Sequence, residues 1–203
     1  MSKLVFSSLA GLGGAVGIGG GIYLLNKNSE SLNTEKRKTV KSKLQSEKFT
    51  PLNSGDSHWN KLKEEYNKVK GEASKVFKTS DSPIDENQLK ELCRVALEKD
   101  EDDESYSKAK RWCVVPVDIS THLKNWNLTA LPTGDSGTNG QNEWTTLSST
   151  YNSSSHKIAG VQTLNSPEWQ TLKNECKKLG DKKNYEDDFD ASFSSSKIWC
   201  VKK

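Results

Sequence analysis

The sequence predicts a mainly α-helical protein: an N-terminal transmembrane helix, then two tandem, duplicated units of about three helices each, with short strands an option at two Trp-Cys-Val segments. Three observations predict it. Residues 4–25 form an uncharged, mostly apolar run of 22, long enough to span a bilayer as a helix. One pattern occurs twice: Trp59-x2-Leu62-x3-Tyr66, Ser82-Pro83, Leu89-x3-Cys93 and Trp112-Cys113-Val114, then Trp144-x2-Leu147-x3-Tyr151, Ser166-Pro167, Leu172-x3-Cys176 and Trp199-Cys200-Val201. Within the copies, apolar residues recur at the spacing of one helical face. The expected organisation is an anchor at 1–25, a polar basic linker at 26–48, unit one at 49–127 and unit two at 128–203.

The anchor comes first. Gly13, Gly17 and Gly21 form a small-xxx-small ladder that lets another membrane helix approach. Only Lys3 precedes the run and no Ala-x-Ala site ends it, which favours an uncleaved single span over a signal peptide. Residues 26–48 are rich in Ser, Asn, Lys and Glu and read as a linker with a short helix at 34–44. Charge is unevenly spread: residues 1–48 carry a net +5 within a chain total of +3, so the remainder sums to −2. A body without excess positive charge excludes a nucleic-acid partner. Seven Lys/Arg lie between the run and residue 48, and the positive-inside rule taken alone puts the body in the cytoplasm. The cysteines argue for the exterior.

In unit one, Asp56 or Ser57 is the expected cap of a helix whose stripe is Trp59, Leu62, Tyr66, Val69, Ala73 and Val76. Ser82-Pro83-Ile84-Asp85 signals the next helix, with Leu89, Leu92, Cys93 and Ala96 facing inward. The acidic run 98–104 is expected to be a solvated loop, followed by a short helix bringing Tyr106 and Ala109 to Trp112. Residues 114–119, with Pro116 inside, are extended and a candidate edge strand. Unit two follows a loop at 133–142; Trp144, Leu147 and Tyr151 restart the first helix, which the serines at 148–155 weaken. Ser166-Pro167 caps a helix carrying Trp169, Leu172, Cys176 and Leu179 that stops at Gly180. Tyr185, Phe189 and Phe193 step by four along a third helix.

The duplication claims all four cysteines and four of the six tryptophans. Two cysteines per copy suggest the disulfides Cys93–Cys113 and Cys176–Cys200, each worth about 3 kcal/mol by loop closure. Four cysteines allow three connectivities, and only the duplication favours this one. Free buried thiols are the alternative, and they fit a cytoplasmic body, whereas bridges need an oxidising exterior. With no Cys-x2-Cys, and His58, His122 and His156 not recurring, no metal site is expected. Trp59, Leu62, Tyr66, Trp112, Trp144, Leu147, Tyr151 and Trp199 are read as the repeated core. Trp126 and Trp169 have no twin; Trp126 serves a partner or packs between copies.

Candidate chemistry is sparse. Gly55-Asp56-Ser57 and Gly134-Asp135-Ser136 are similar to the nucleophile block of Gly-Asp-Ser-Leu hydrolases, but neither is followed by Leu, no strand precedes them and no Asp-x-x-His supplies a base. Helix capping explains them better. The acidic segments 100–104 and 186–190 lack the order of a calcium loop. Asn127-Leu128-Thr129 and Asn152-Ser153-Ser154 match the glycosylation acceptor pattern. No catalytic residue, cofactor or small-molecule substrate is expected.

A Met-Ser-Lys-Leu start, a Gly/Ala-rich apolar segment, and a Lys/Ser/Asn-rich body marked by Trp-x2-Leu-x3-Tyr and Trp-Cys-Val together resemble the large paralogous families of uncharacterised proteins in haemotropic mycoplasmas. The resemblance covers 1–25, 59–113 and 144–200. It implies a membrane-anchored surface or antigenic protein and carries over no catalytic residues. The expectation is a non-enzymatic, single-pass protein of the cell membrane, held by residues 4–25, with disulfide-stapled helical units outside the cell facing a host-cell or protein partner. A cytoplasm-facing scaffold with free thiols is the alternative, and a Gly-Asp-Ser hydrolase a third.

Overall fold

Helical periodicity, caps and buried aromatics build eight α-helices and no sheet among the described residues, 37–134 and 139–203 of a computed structural model. The expected membrane helix at 4–25 lies outside the described residues, as do Asp135 and Ser136. Among the described residues no helix is long and apolar enough to cross a membrane.

The first four helices are α1 (Val40–Ser46), α2 (Trp59–Lys68), α3 (Glu86–Glu98) and α4 (Asp103–Trp112). In α1 the Thr39 side chain accepts from the Ser42 N–H and Ser42 returns a bond to the Thr39 N–H, a reciprocal cap. Val40 and Leu44 are both fully buried. This helix packs on α3 and α4, so the expected linker boundary at 48 falls inside packed structure. Of the helix expected at 34–44, residues 40–44 are helical as part of α1, 37–39 are not, and 34–36 lie outside the described residues.

Asp56 does not cap α2. Its carboxylate accepts from the Asn53 N–H at 2.6 Å, and the N-cap is His58, with no side-chain bond. The stripe beyond Tyr66 also leaves the helix, which ends at Lys68, two residues before Lys70-Gly71. Ala73 is exposed while Val76 is buried from a turn. Ser82 and Pro83 lie ahead of α3, whose cap is Asp85, paired reciprocally with Gln88. The acidic run is only partly loop: Glu98 ends α3, Asp102 caps α4 and Asp103 and Glu104 form its first turn. Negative charge is favoured there by the helix dipole.

The last four helices are α5 (Ile119–Asn125), α6 (Gln141–Tyr151), α7 (Glu168–Asp181) and α8 (Phe189–Trp199). Asp118 caps α5 by accepting from the Thr121 N–H at 2.7 Å. The expected edge strand at 114–119 reduces to isolated bridges, Val114 with Pro51 and Asp118 with Lys183, and the second Trp-Cys-Val segment likewise pairs only Val201 with Ala130. Pro167 precedes α7 without a side-chain cap. Tyr185 lies outside α8, which begins at Phe189 after Asp188 adopts φ +60.

Gly180 does not stop α7, which runs on to Asp181. Its role is close approach: a Cβ there would lie 2.4 Å from Ser120 Oγ, whose hydroxyl donates to the Gly180 carbonyl at 3.1 Å. Gly180→Ala therefore displaces that hydroxyl. The lost bond and crowding exceed the helix-propensity gain, for a net destabilisation on the order of 1 kcal/mol. Equilibrium unfolding of G180A with and without Ser120→Ala checks this. The loss should largely vanish in the S120A background.

Each closely packed helix pair falls within one set of four: α1 with α3 and α4, α2 with α3, α3 with α4, and correspondingly α5 with α7 and α8, α6 with α7, α7 with α8. The larger core cluster gathers buried residues of α1–α5 with Phe189, Phe193 and Val201. A smaller one is built from Leu131, α6, α7 and the end of α8.

Candidate functional site

Each disulfide closes one set of helices on itself. Cys93 of α3 bonds Cys113, which caps α4, with Cα atoms 5.3 Å apart; Cys176 of α7 bonds Cys200, which caps α8, at 5.5 Å. The indoles around them anchor loops. Trp59 Nε1 donates to the Asn53 carbonyl at 2.8 Å and Trp144 Nε1 to Pro132 at 3.1 Å. Trp112 Nε1 donates to Lys75 at 2.6 Å and Trp199 Nε1 to His156 at 3.0 Å. The phenols do likewise: Tyr66 accepts from the Phe77 N–H and donates to the Lys78 carbonyl, while Tyr151 accepts from Ile158 and donates to Val161. Burial pushes both phenol pKa values up. Seven of the eight expected core residues are buried; Leu147 is half-buried against the smaller cluster.

The two sets meet at a junction that sequence reasoning missed. Phe49, which follows α1, stacks on His122 of α5 at 4.3 Å and lies against Phe189 of α8. Beside it runs a cleft of about 310 Å³ lined by Ser107, Lys110, Arg111, Asn184, Glu186 and Asp190, among others. Lys110 pairs with Asp190; Arg111 bonds Asp187 at 3.0 Å and the Tyr185 carbonyl at 2.9 Å; Lys75 reaches Asp187 at 2.7 Å. The hydrogen bond from Lys75 is the foremost cause of a lowered Asp187 pKa. These pairs span 74 to 112 residues of sequence, so no local spacing could announce them. Each of these cations already has a carboxylate partner, and the cleft reads as a polar seam joining the sets rather than a receptor for an added anion.

The other candidates fare as follows. Asp56 is committed to the Asn53 N–H, and Ser57, the serine of the same block, lies in the turn ahead of α2. Among the described residues no group of three or more His, Cys, Asp or Glu is placed to hold a metal ion. The Asn152 amide accepts from Leu164 N–H at 2.8 Å and donates to Glu168 at 3.1 Å, so it is engaged in holding the 152–168 loop. Trp126 is 40% exposed and nonetheless donates its N–H to His122 Nε2 at 3.2 Å. Trp169 is half-buried on the smaller cluster. No protein family model, no curated protein and no solved structure matches this chain.

Proposed function

We propose that this chain is a non-enzymatic, membrane-anchored interaction protein that displays two like, disulfide-stapled helical units outside the cell, held by residues 4–25. The observation that carries the reading is the pairing of all four cysteines into two bridges at matching places, α3 to the end of α4 and α7 to the end of α8. Such bridges persist in oxidising surroundings and are rare in a reducing cytoplasm.

A duplication of four helices, wider than the three expected, is supported by matched caps and bonds. Thr39 and Asp118 cap α1 and α5, Val40 N–H bonds the Lys99 carbonyl as Ile119 N–H bonds Lys182, and Lys48 and Asn127 both take positive φ just after the helix. On this reading the surface carries the function: exposed lysines, carboxylates and Ser/Thr over a core committed to packing. The positive charge following residue 25 favours one rival, a cytoplasm-facing scaffold.

A membrane-impermeant amine reagent applied to intact cells separates the two. Modification of exposed Lys202 and Lys203 before lysis is expected; modification only after lysis refutes the exterior placement. A fluorophosphonate probe should leave the protein unlabelled, and labelling lost on Ser57→Ala or Ser136→Ala would refute the non-enzymatic part.

A further inference from the structure

His122 is the buried titratable group that the fold leaves least provided for. Only 2% of the residue is exposed. Its ring is enclosed by Phe49 at 4.3 Å, Phe193 at 4.7 Å and Phe189 at 5.9 Å, the first belonging to the first set of helices and the others to the second. Nε2 accepts the Trp126 indole N–H at 3.2 Å, which places the imidazole proton on Nδ1. That buried Nδ1 has no hydrogen-bond partner. By position in its helix His122 corresponds to Lys43 of α1, since Val40 and Leu44 match Ile119 and Leu123. Lys43 keeps partial access to solvent and pairs with Glu101 at 3.2 Å. In α5 the corresponding side chain is instead sealed by Phe49, and a neutral ring stands where α1 has a cation.

We propose that His122 is an acid-operated latch between the two sets of helices: a proton taken up at Nε2 displaces the Trp126 indole and parts Phe49 from α5 and α8. In the neutral ring Nε2 is an acceptor facing a donor. Once protonated it is a donor facing a donor, and the bond to Trp126 cannot survive. The imidazolium also carries charge into a site walled by three phenyl rings. The charged groups facing it are Lys110 of α4 and Asp190 and Lys197 of α8. Asp190 favours the cation while the two lysines oppose it, and Asp190 is already paired with Lys110. On the α1 side, Glu47 is bound by the Tyr106 hydroxyl, so no free carboxylate waits there. Aromatic faces attract a cation, but burial dominates and takes the His122 pKa down to about 4 from 6.5.

The sign follows from that direction. The unfolded or opened ring protonates near 6.5, the enclosed one near 4. The His122 contribution to closure is therefore fully present above pH 6.5, falls as the pH drops between these values, and is lost below about 4. The seam pairs Lys75–Asp187 and Arg111–Asp187 do not involve His122, so what acid opens is the aromatic contact at Phe49, not the whole junction.

NMR titration of the full chain, with hydrogen exchange read at Phe49 and Phe193, tests the latch. The expected result is a His122 titration near pH 4, loss of the Trp126 indole signal from its neutral-pH position, and, relative to the unfolded-chain rate at the same pH, at least tenfold lower protection of Phe49 and Phe193 in acid. His122→Phe should abolish the acid response. Trp126→Phe, which removes the donor that favours the neutral ring, should move it to higher pH. The same acid response in H122F overturns the proposal. So does a His122 that protonates in the wild-type chain while the protection of Phe49 and Phe193 stays unchanged, and that arm stands even if H122F does not fold.

Discussion

Replacing Cys176 and Cys200 together by alanine is expected to destabilise α5–α8 by about 3 kcal/mol and to make them unfold before α1–α4. The bridge closes a separation of 24 residues, and releasing such a loop in the unfolded chain costs about that much. Apart from Ile119, Leu123, Phe189, Phe193 and Val201, which join the larger core cluster, the second set packs on the smaller one, and α6 lies wholly there. Its helix α6 is rich in Ser and Thr, and Ser148, Ser149 and Thr150 each bond a carbonyl three residues back, a habit that weakens helices. Helix α2, which carries the same Trp-x2-Leu-x3-Tyr pattern, is braced by Lys61–Glu65 and Lys68–Glu65 pairs. The companion variant Cys93→Ala/Cys113→Ala should lose a similar free energy, its separation being 20 residues, yet retain a folded first set on the larger cluster, to which Ile119, Leu123, Phe189 and Phe193 also contribute. Denaturant unfolding followed by hydrogen exchange distinguishes the sets. Equal protection of α6 and α2 in C176A/C200A would contradict this ranking.

The second large effect is expected at Trp112. This side chain is 1% exposed, meets Tyr66 edge-on at 5.2 Å and donates Nε1–H to the Lys75 carbonyl at 2.6 Å. Trp112→Ala removes the ring and leaves a cavity, at about 3–5 kcal/mol. It also frees the 69–80 turns, because Tyr66 and Trp112 between them hold the backbone at Lys75, Phe77 and Lys78. Trp112→Phe keeps much of the packing and loses the indole bond, so a smaller cost of about 1–2 kcal/mol is expected. Urea melts of the two variants check the order. If W112F proves as damaging as W112A, the bond rather than the volume is what the site depends on.

The long helices were legible in the sequence because their apolar faces repeat: Trp59, Leu62 and Tyr66, and Leu89, Cys93 and Ala96, all sit on faces that are buried. Two helices were harder to read. α1 and α5 span seven residues each and bury Val40 with Leu44, and Ile119 with His122 and Leu123. That is too few apolar positions for a period to stand out. Their caps were present to be read in Thr39 and Asp118, but a polar linker and a Pro116 strand were the competing interpretations. Misplaced starts share one physical cause. Asp56 found a backbone partner at Asn53 rather than α2, and Asp85, next to Pro83-Ile84, outcompeted Ser82 by pairing with Gln88. The junction of Phe49, His122, Phe189 and Phe193 was not legible, because its members come from three elements distant in sequence. Trp126, unmatched in the duplicated pattern, was the only sign of it.

Cys93–Cys113 and Cys176–Cys200 each lock one set of helices, and mapping the cysteines in intact cells tests that most directly. Free thiols are blocked with a permeant maleimide before lysis, and the protein is digested without reduction and read by mass spectrometry. The expected result is unblocked cysteines in two linked peptide pairs, Cys93 with Cys113 and Cys176 with Cys200. Four blocked, unlinked cysteines would contradict it, and with it the exterior placement.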